Sequence, residues 1–98
     1  MRLLAAASLA LACVAILADA TTTLRGLRAG RAEGNPIRRA AIRVLGLGGG
    51  TYGVALAVCA AAVAVNVWSH QPSPSLVVGN LILATAFGWA AWHNAAGN

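Results

Sequence analysis

Two acids, Asp19 and Glu33, carry all the side-chain negative charge of this chain, and each opens a polar signature: Asp19-Ala20-Thr21-Thr22-Thr23 and Glu33-Gly34-Asn35-Pro36. Paired carboxylates do general acid–base work when they stand about 5–9.5 Å apart. Asp19 and Glu33 are 14 residues apart, about 21 Å if the segment is helical, so only an oligomer would bring them together. The other reactive side chains are equally scattered. His70 falls in the second connection and His93 at the far end of the last apolar run, too distant to share a metal. Cys13 and Cys59 fit neither a redox Cys-x-x-Cys nor a zinc spacing; both fall near mid-span, where a small apolar thiol is an ordinary packing residue. Ser8 has no histidine at its depth to activate it. Gly48-x-Gly50 precedes an apolar run rather than following a strand, so it is no phosphate loop. The sequence therefore points to no catalytic residues, no metal and no cofactor.

The elements that hold these residues are set by composition. With 59% hydrophobic and only 9% charged residues in 98, the chain lacks the roughly one-quarter charged content of a soluble domain. Three apolar stretches, 3–24, 51–68 and 76–92, each approach the about 20 residues that cross a bilayer core. An all-α integral membrane protein is expected: one membrane domain over 1–98, three transmembrane helices and a basic connection over 25–50. Arg25, Arg28, Arg31, Arg38, Arg39 and Arg43 all lie in that connection, whereas 69–75 has no fixed charge. The positive-inside bias then places the amino terminus outside, the connection in the cytoplasm and the carboxyl terminus inside. Tyr52, Trp68, Trp89 and Trp92 fall near the span ends, where amphipathic rings favour the interface. Met1 to Ala20 also has the three parts of a cleavable signal peptide. Cleavage there would force six arginines across the membrane, against the same bias, and Ala10-Leu11-Ala12 is a poor approach to a lipoprotein site at Cys13.

The formal charge of +5 does not indicate nucleic acid, because no aromatic residue lies among the arginines to stack a base. Membrane topology accounts for them, and the six arginines are candidate contacts to anionic lipid heads, at about 1 kcal/mol per basic residue near the surface.

On a helix of about 100° per residue, Asp19, Thr22, Thr23, Gly26, Gly30 and Glu33 fall on one narrow stripe, with Arg25, Arg28 and Arg31 opposite. This segregation favours a first helix continuing past the membrane toward Glu33. Gly26-x-x-x-Gly30 has the spacing that lets helix backbones approach, so the stripe is a candidate packing face. Asp19 on it needs a donor: Thr22 and Thr23 are one turn on, and Arg38, Arg39 or Arg43 can fold back to it. An intramembrane acid is either functional or a structural tie between the first helix and the next. Asn35 and Pro36 then read as the cap and first residue of a new helix. Its apolar face is Ile37, Ala40, Ala41, Val44, Leu45 and Gly48, and its basic face Arg38, Arg39 and Arg43, as in an interfacial amphipathic helix before the second span. Gly48-Gly49-Gly50 is the expected bend, the alternative being one long kinked helix from Pro36 to Trp68. Asn66 and Asn80 are candidate interhelix amides, worth about 0.6–2 kcal/mol, and the short Pro72/Pro74 connection makes the last two spans an antiparallel hairpin.

The spacing Asp-x-x-Thr-Thr, then Gly30, then Glu-x-Asn-Pro, carried by Asp19, Thr22, Thr23, Glu33, Asn35 and Pro36, resembles a family of small multi-pass bacterial and phage membrane proteins grouped as a domain of unknown function. The likeness covers residues 15–39 and implies a helical membrane fold and an important stripe, without an activity. Together these features point to a small non-enzymatic inner-membrane protein of bacterial or phage origin that packs on itself or on a membrane partner. The alternatives are a holin-like pore former, whose usual basic carboxyl tail is missing from 93–98, and an ion conduit through Asp19, which lacks a relay.

Overall fold

The computed structural model describes residues 2–69 and 73–97. The regular elements among them are four helices: α1 (Arg2–Arg28), α2 (Pro36–Leu45), α3 (Leu47–Trp68) and α4 (Pro74–Gly97). Helices α1, α3 and α4, of 27, 22 and 24 residues, are long and apolar enough to cross a membrane. At about 1.5 Å per residue each exceeds the roughly 30 Å of a bilayer core. The chain is thus all-α, with three candidate spans and a short helix before the second. His70, Gln71 and Pro72 lie outside the described residues.

Each boundary has a local cause. α1 stops short of Glu33 because Gly30 takes a positive φ of 96°. The Gly30 N–H donates to Leu27 O at 3.1 Å and the Arg31 N–H to Gly26 O at 3.0 Å, the paired bonds of a Schellman cap. Gly30 is therefore a helix stop and not half of a Gly-x-x-x-Gly packing face. Glu33 leaves the stripe with it. α2 starts at Asn35, whose side-chain oxygen accepts from the Ile37 N–H at 2.9 Å and the Arg38 N–H at 3.4 Å, with Pro36 first in the helix. Glu33 Oε1 accepts the Asn35 N–H at 2.8 Å. The Glu-x-Asn-Pro segment is thus a helix-start device.

The bend into α3 falls at Gly46, with φ 84°, and Gly48, Gly49 and Gly50 are helical within α3. Gly50 serves a close crossing instead. A Cβ there would overlap the Ile42 backbone and lie 2.7 Å from the Ala41 carbonyl carbon. The α2 face laid against α3 consequently carries Arg38, Ala41 and Ile42, while Ile37 and Val44 are 71% and 82% exposed. Exposure of Ile37 and Val44 is compatible with an apolar face turned to lipid; of the basic face, Arg38 turns inward while Arg39 and Arg43 stay exposed.

α1 is the central element, packed extensively on α4 and also on α3. Its buried residues include Ala5, Ser8, Ala12, Ala15, Asp19 and Gly26. From Ala5 to Asp19 these positions alternate steps of three and four, and Gly26 lies one heptad beyond Asp19, the heptad seam along which two helices stay in contact. Small residues on such a seam let backbones approach, the usual basis of helix association in lipid. The facing residues of α4 repeat likewise: Asn80, Ala84 and Ala91 are buried, and Phe87 packs on the core of Ile16, Ala20 and Ala55. Asn80 bonds near Ser8 and Asn94 near Asp19, so α1 and α4 run parallel. Thr21 meets Tyr52 and Ile16 meets Ala55, so α3 is antiparallel to α1.

The last two spans run antiparallel, as expected of a hairpin, but do not pack along their length. Asn66 and Asn80 join α3 to α4 near their connection, while farther along, α1 lies against both and a cleft separates them. The residues that would close a tight hairpin, Ala57, Ala61 and Gly79, are exposed.

Candidate functional site

The polar residues converge at one junction. Asp19, near the arginine-rich end of α1, is 6% exposed, as is Arg38 of α2. Arg38 Nη2 stands 3.6 Å from Asp19 Oδ2 and Arg38 Nη1 donates to Thr23 Oγ1 at 3.5 Å. Asp19 Oδ1 accepts from Thr23 Oγ1 at 3.4 Å and from Asn94 Nδ2 at 3.1 Å. Asn94 Nδ2 also approaches Thr23 Oγ1 at 3.0 Å and Thr22 Oγ1 at 3.3 Å. Three helices thus meet on one carboxylate. A buried charge is tolerable only when paired and hydrogen-bonded, and the cap at Asn35 supplies the pairing: it sets Arg38 in the first turn of α2, aimed back at α1.

Thr22 hydroxyl donates to Ala18 O and Asp19 O at 2.9 and 3.1 Å, so it serves its own backbone first. Gly26 is buried beside a small polar cavity of about 150 Å³ bordered by Thr23, Arg31, Glu33 and Asn94. Within the chain the structure therefore brings Asp19, Thr22, Thr23 and Gly26 together against α4, and leaves Gly30, Glu33, Asn35 and Pro36 to end one helix and begin the next. Asn94 is the residue that sequence reasoning missed. Its signal was its place on the α4 heptad with Asn80 and Phe87.

A second polar junction lies near the other end of the bundle. Asn66 and Asn80 exchange reciprocal amide bonds, Nδ2 to Oδ1 at 3.0 Å each way. Asn80 Nδ2 also lies 3.1 Å from Ser8 Oγ and 3.4 Å from Ala5 O; with two hydrogens in all, its second bond goes to the nearer Ser8 hydroxyl. Ser8, discounted as a nucleophile, is the acceptor that lets Asn80 reach a third helix. Between the junctions, Tyr52 hydroxyl lies 2.8 Å from Thr21 Oγ1. Since Thr21 already donates to Leu17 O at 2.9 Å, Tyr52 is the donor.

Two of the arginines grouped as lipid-head contacts are otherwise engaged. Arg38 is buried on Asp19. Arg31 Nη1 donates to Asn94 O at 3.3 Å, in the last turn of α4, where a cation is favoured by the carbonyls of a helix end. Arg25, Arg28, Arg39 and Arg43 are exposed, as contact with lipid heads requires. Cys59 packs on the Ile16 cluster and faces Cys13; both thiols are free. His93 stacks on Trp89 with ring centroids 5.9 Å apart. Among the described residues no three of His, Cys, Asp and Glu converge as metal ligands.

Three apolar spans held together at two polar junctions define a multi-pass helical membrane protein. Compared with models of known families, with curated proteins and with solved structures, the chain matches none.

Proposed function

We propose that this is a non-enzymatic protein of the bacterial inner membrane, cellular or phage-encoded, that acts by packing its helices on a second copy or on a membrane partner. The observation that carries this reading is how the polar residues are used. Asp19, Arg38, Asn94, Asn66 and Asn80 bond to one another across helices, which is structural work, and none of these bonds positions a nucleophile beside a base. The Asp19 stripe is taken up inside the chain, so association falls to a face still open. On α3, Leu56, Ala60 and Val67 are exposed and Ala64 is half-buried. Ala60-x-x-x-Ala64 has the small-residue spacing that allows close helix approach.

Substitution at Asp19 or Gly26 accordingly acts on the fold of the single chain, and substitution at Ala60 on association. In mild detergent, Ala60→Phe should lower the oligomeric state or lose a co-purifying partner while helicity is kept. An unchanged assembly would count against packing through α3. Expression from a tight inducible promoter separates the pore alternative: abrupt depolarisation with lysis on supplying an endolysin would favour a holin-like role, and steady growth at intact potential the packing role.

A further inference from the structure

Arg38 is short of acceptors. Its contacts to Asp19 and Thr23 are 3.6 and 3.5 Å, beyond the usual 2.7–3.2 Å of a hydrogen bond to nitrogen. Its Nε is the buried side-chain nitrogen that has no partner among the described residues. A guanidinium presents five donors in a fork suited to carboxylate or phosphate, and an unmet buried donor is costly. The Asp19 carboxylate is itself spread over Arg38, Thr23 and Asn94.

Arg38 also lines a cleft. With Asn35 and Ile37 it forms the mouth of a space of about 450 Å³ that continues between α3 and α4 past Val54, Ala57 and Phe87. Val58 and Ala61 are shared with a second space, of about 370 Å³, that reaches Asn66 and Gly79. The two form one groove, each part within the roughly 300–1,000 Å³ range of ligand sites. Along α3 it runs from Val54 to Asn66, about 18 Å at helical rise. That compares with about 15 Å for one leaflet, half of a roughly 30 Å core. One end holds the Arg38–Asp19 pair, with Arg39 and Arg43 exposed on the same short helix to leave that end net positive; the remainder is mainly apolar, with Asn66 and Asn80 at its far end.

We infer that the α3–α4 groove holds one anionic phospholipid per chain, its phosphate on the Arg38 guanidinium and Asn35, and one acyl chain laid along Ala57 and Ala61. Charge decides for a lipid over a helix of a second copy, because an apolar helix would leave the Arg38 donors unmet whereas a phosphodiester supplies acceptors. Arg38 is held on Asp19 and Thr23, and the proposed phosphate would draw its flexible stem toward the mouth, where exposed Arg39 and Arg43 add to the positive field. The inference does not depend on which partner the Ala60 face meets.

The test is native mass spectrometry of the full chain in mild detergent, titrated with dioleoylphosphatidylglycerol or dioleoylphosphatidylcholine. One phosphatidylglycerol should be retained per chain at least about tenfold more tightly than phosphatidylcholine, a difference of about 1.4 kcal/mol. Ala61→Phe fills the groove from an exposed position and should weaken retention of both lipids with helicity unchanged. The double variant Asp19→Asn/Arg38→Gln keeps a neutral hydrogen-bonding pair and should abolish the preference between headgroups. Equal retention of the two lipids by the unmodified chain would overturn the proposal. So would phosphatidylglycerol binding indifferent to Ala61→Phe, which would assign the lipid to surface arginines, or a dimer that excludes lipid from the groove.

Discussion

The contact that most directly fixes the parallel pairing of α1 with α4 is Asn94 on Asp19, and a double-mutant cycle measures it. Asn94 Nδ2 lies 3.1 Å from Asp19 Oδ1, 3.0 Å from Thr23 Oγ1 and 3.3 Å from Thr22 Oγ1. One amide has two hydrogens, so at most two of these bonds form well at once. A hydrogen bond to a charged group is worth about 1.5–3 kcal/mol in general, while interhelix bonds in bilayers average about 0.6 and reach about 1.7. The Asp19–Asn94 coupling should therefore be about 1–1.7 kcal/mol, near the upper end of the bilayer range. Asp19→Asn alone will cost more than this, because it leaves the Arg38 cation buried without its counter-ion, but that cost appears equally with Asn94 present or absent and cancels in the cycle. The assay is reversible unfolding in mixed micelles of mild detergent and dodecyl sulfate, followed by the fluorescence of Trp68, Trp89 and Trp92. The control pairs Asp19→Asn with Asn80→Ala, which lies 14 residues earlier on α4, about 21 Å along the helix. Distant pairs should add within about 0.3–0.5 kcal/mol. An Asp19–Asn94 coupling no larger than the control would refute the parallel register of α1 and α4.

Two further substitutions examine packing rather than polarity. Gly50→Ala should destabilise by about 1–3 kcal/mol, the usual cost of overpacking, because the new methyl meets the Ile42 backbone, which cannot swing aside as a side chain can; Gly79→Ala, where nothing lies within 4 Å, should be nearly neutral in the same unfolding assay. Cys13 and Cys59 should be joined within one chain by a short thiol–thiol cross-linker, read as the loss of both maleimide-reactive sites, and bridging only between chains would contradict the antiparallel α1–α3 register.

The membrane spans were legible because hydropathy over about 20 residues is a strong signal, and the start of α2 because Asn35-Pro36 acts through local backbone chemistry. Gly30 is ambiguous for a reason of the same kind: Gly-x-x-x-Gly spacing and a Schellman stop look alike in sequence, and only the φ of the second glycine separates them. A glycine run suggests a bend within Gly48-Gly49-Gly50, yet Gly46 turns the chain and Gly50 admits a neighbouring backbone. Tertiary contact decided that exchange, and tertiary contact leaves little trace in a local window. The heptad of small residues over Ala5, Ser8, Ala12, Ala15, Asp19 and Gly26 was present to be counted, with a matching one from Asn80 to Asn94. It was obscured because both helices are apolar all round, so no amphipathic contrast marks the inner face.

That absence of contrast explains why the polar residues sit where they do. In a lipid surround, apolar helices gain nothing from hydrophobic burial against one another, and orientation depends on small-residue packing and a few hydrogen bonds. Packing alone would select weakly against sliding α4 along α1 by a heptad, since much of both seams is alanine. Asn80 on Ser8 and Asn94 on Asp19 remove that freedom: the offset between partners is 72 residues at one junction and 75 at the other. A one-heptad slip would leave Asn80 facing hydrocarbon and the Asp19–Arg38 pair without its third helix. The charged junction belongs near the end of the span for the same physical reason, because water and lipid heads lower the cost of a carboxylate there and α2 can deliver Arg38 only from the interface. Asp19, Arg38 and Asn94 are in this view the device that selects one register among several of nearly equal packing.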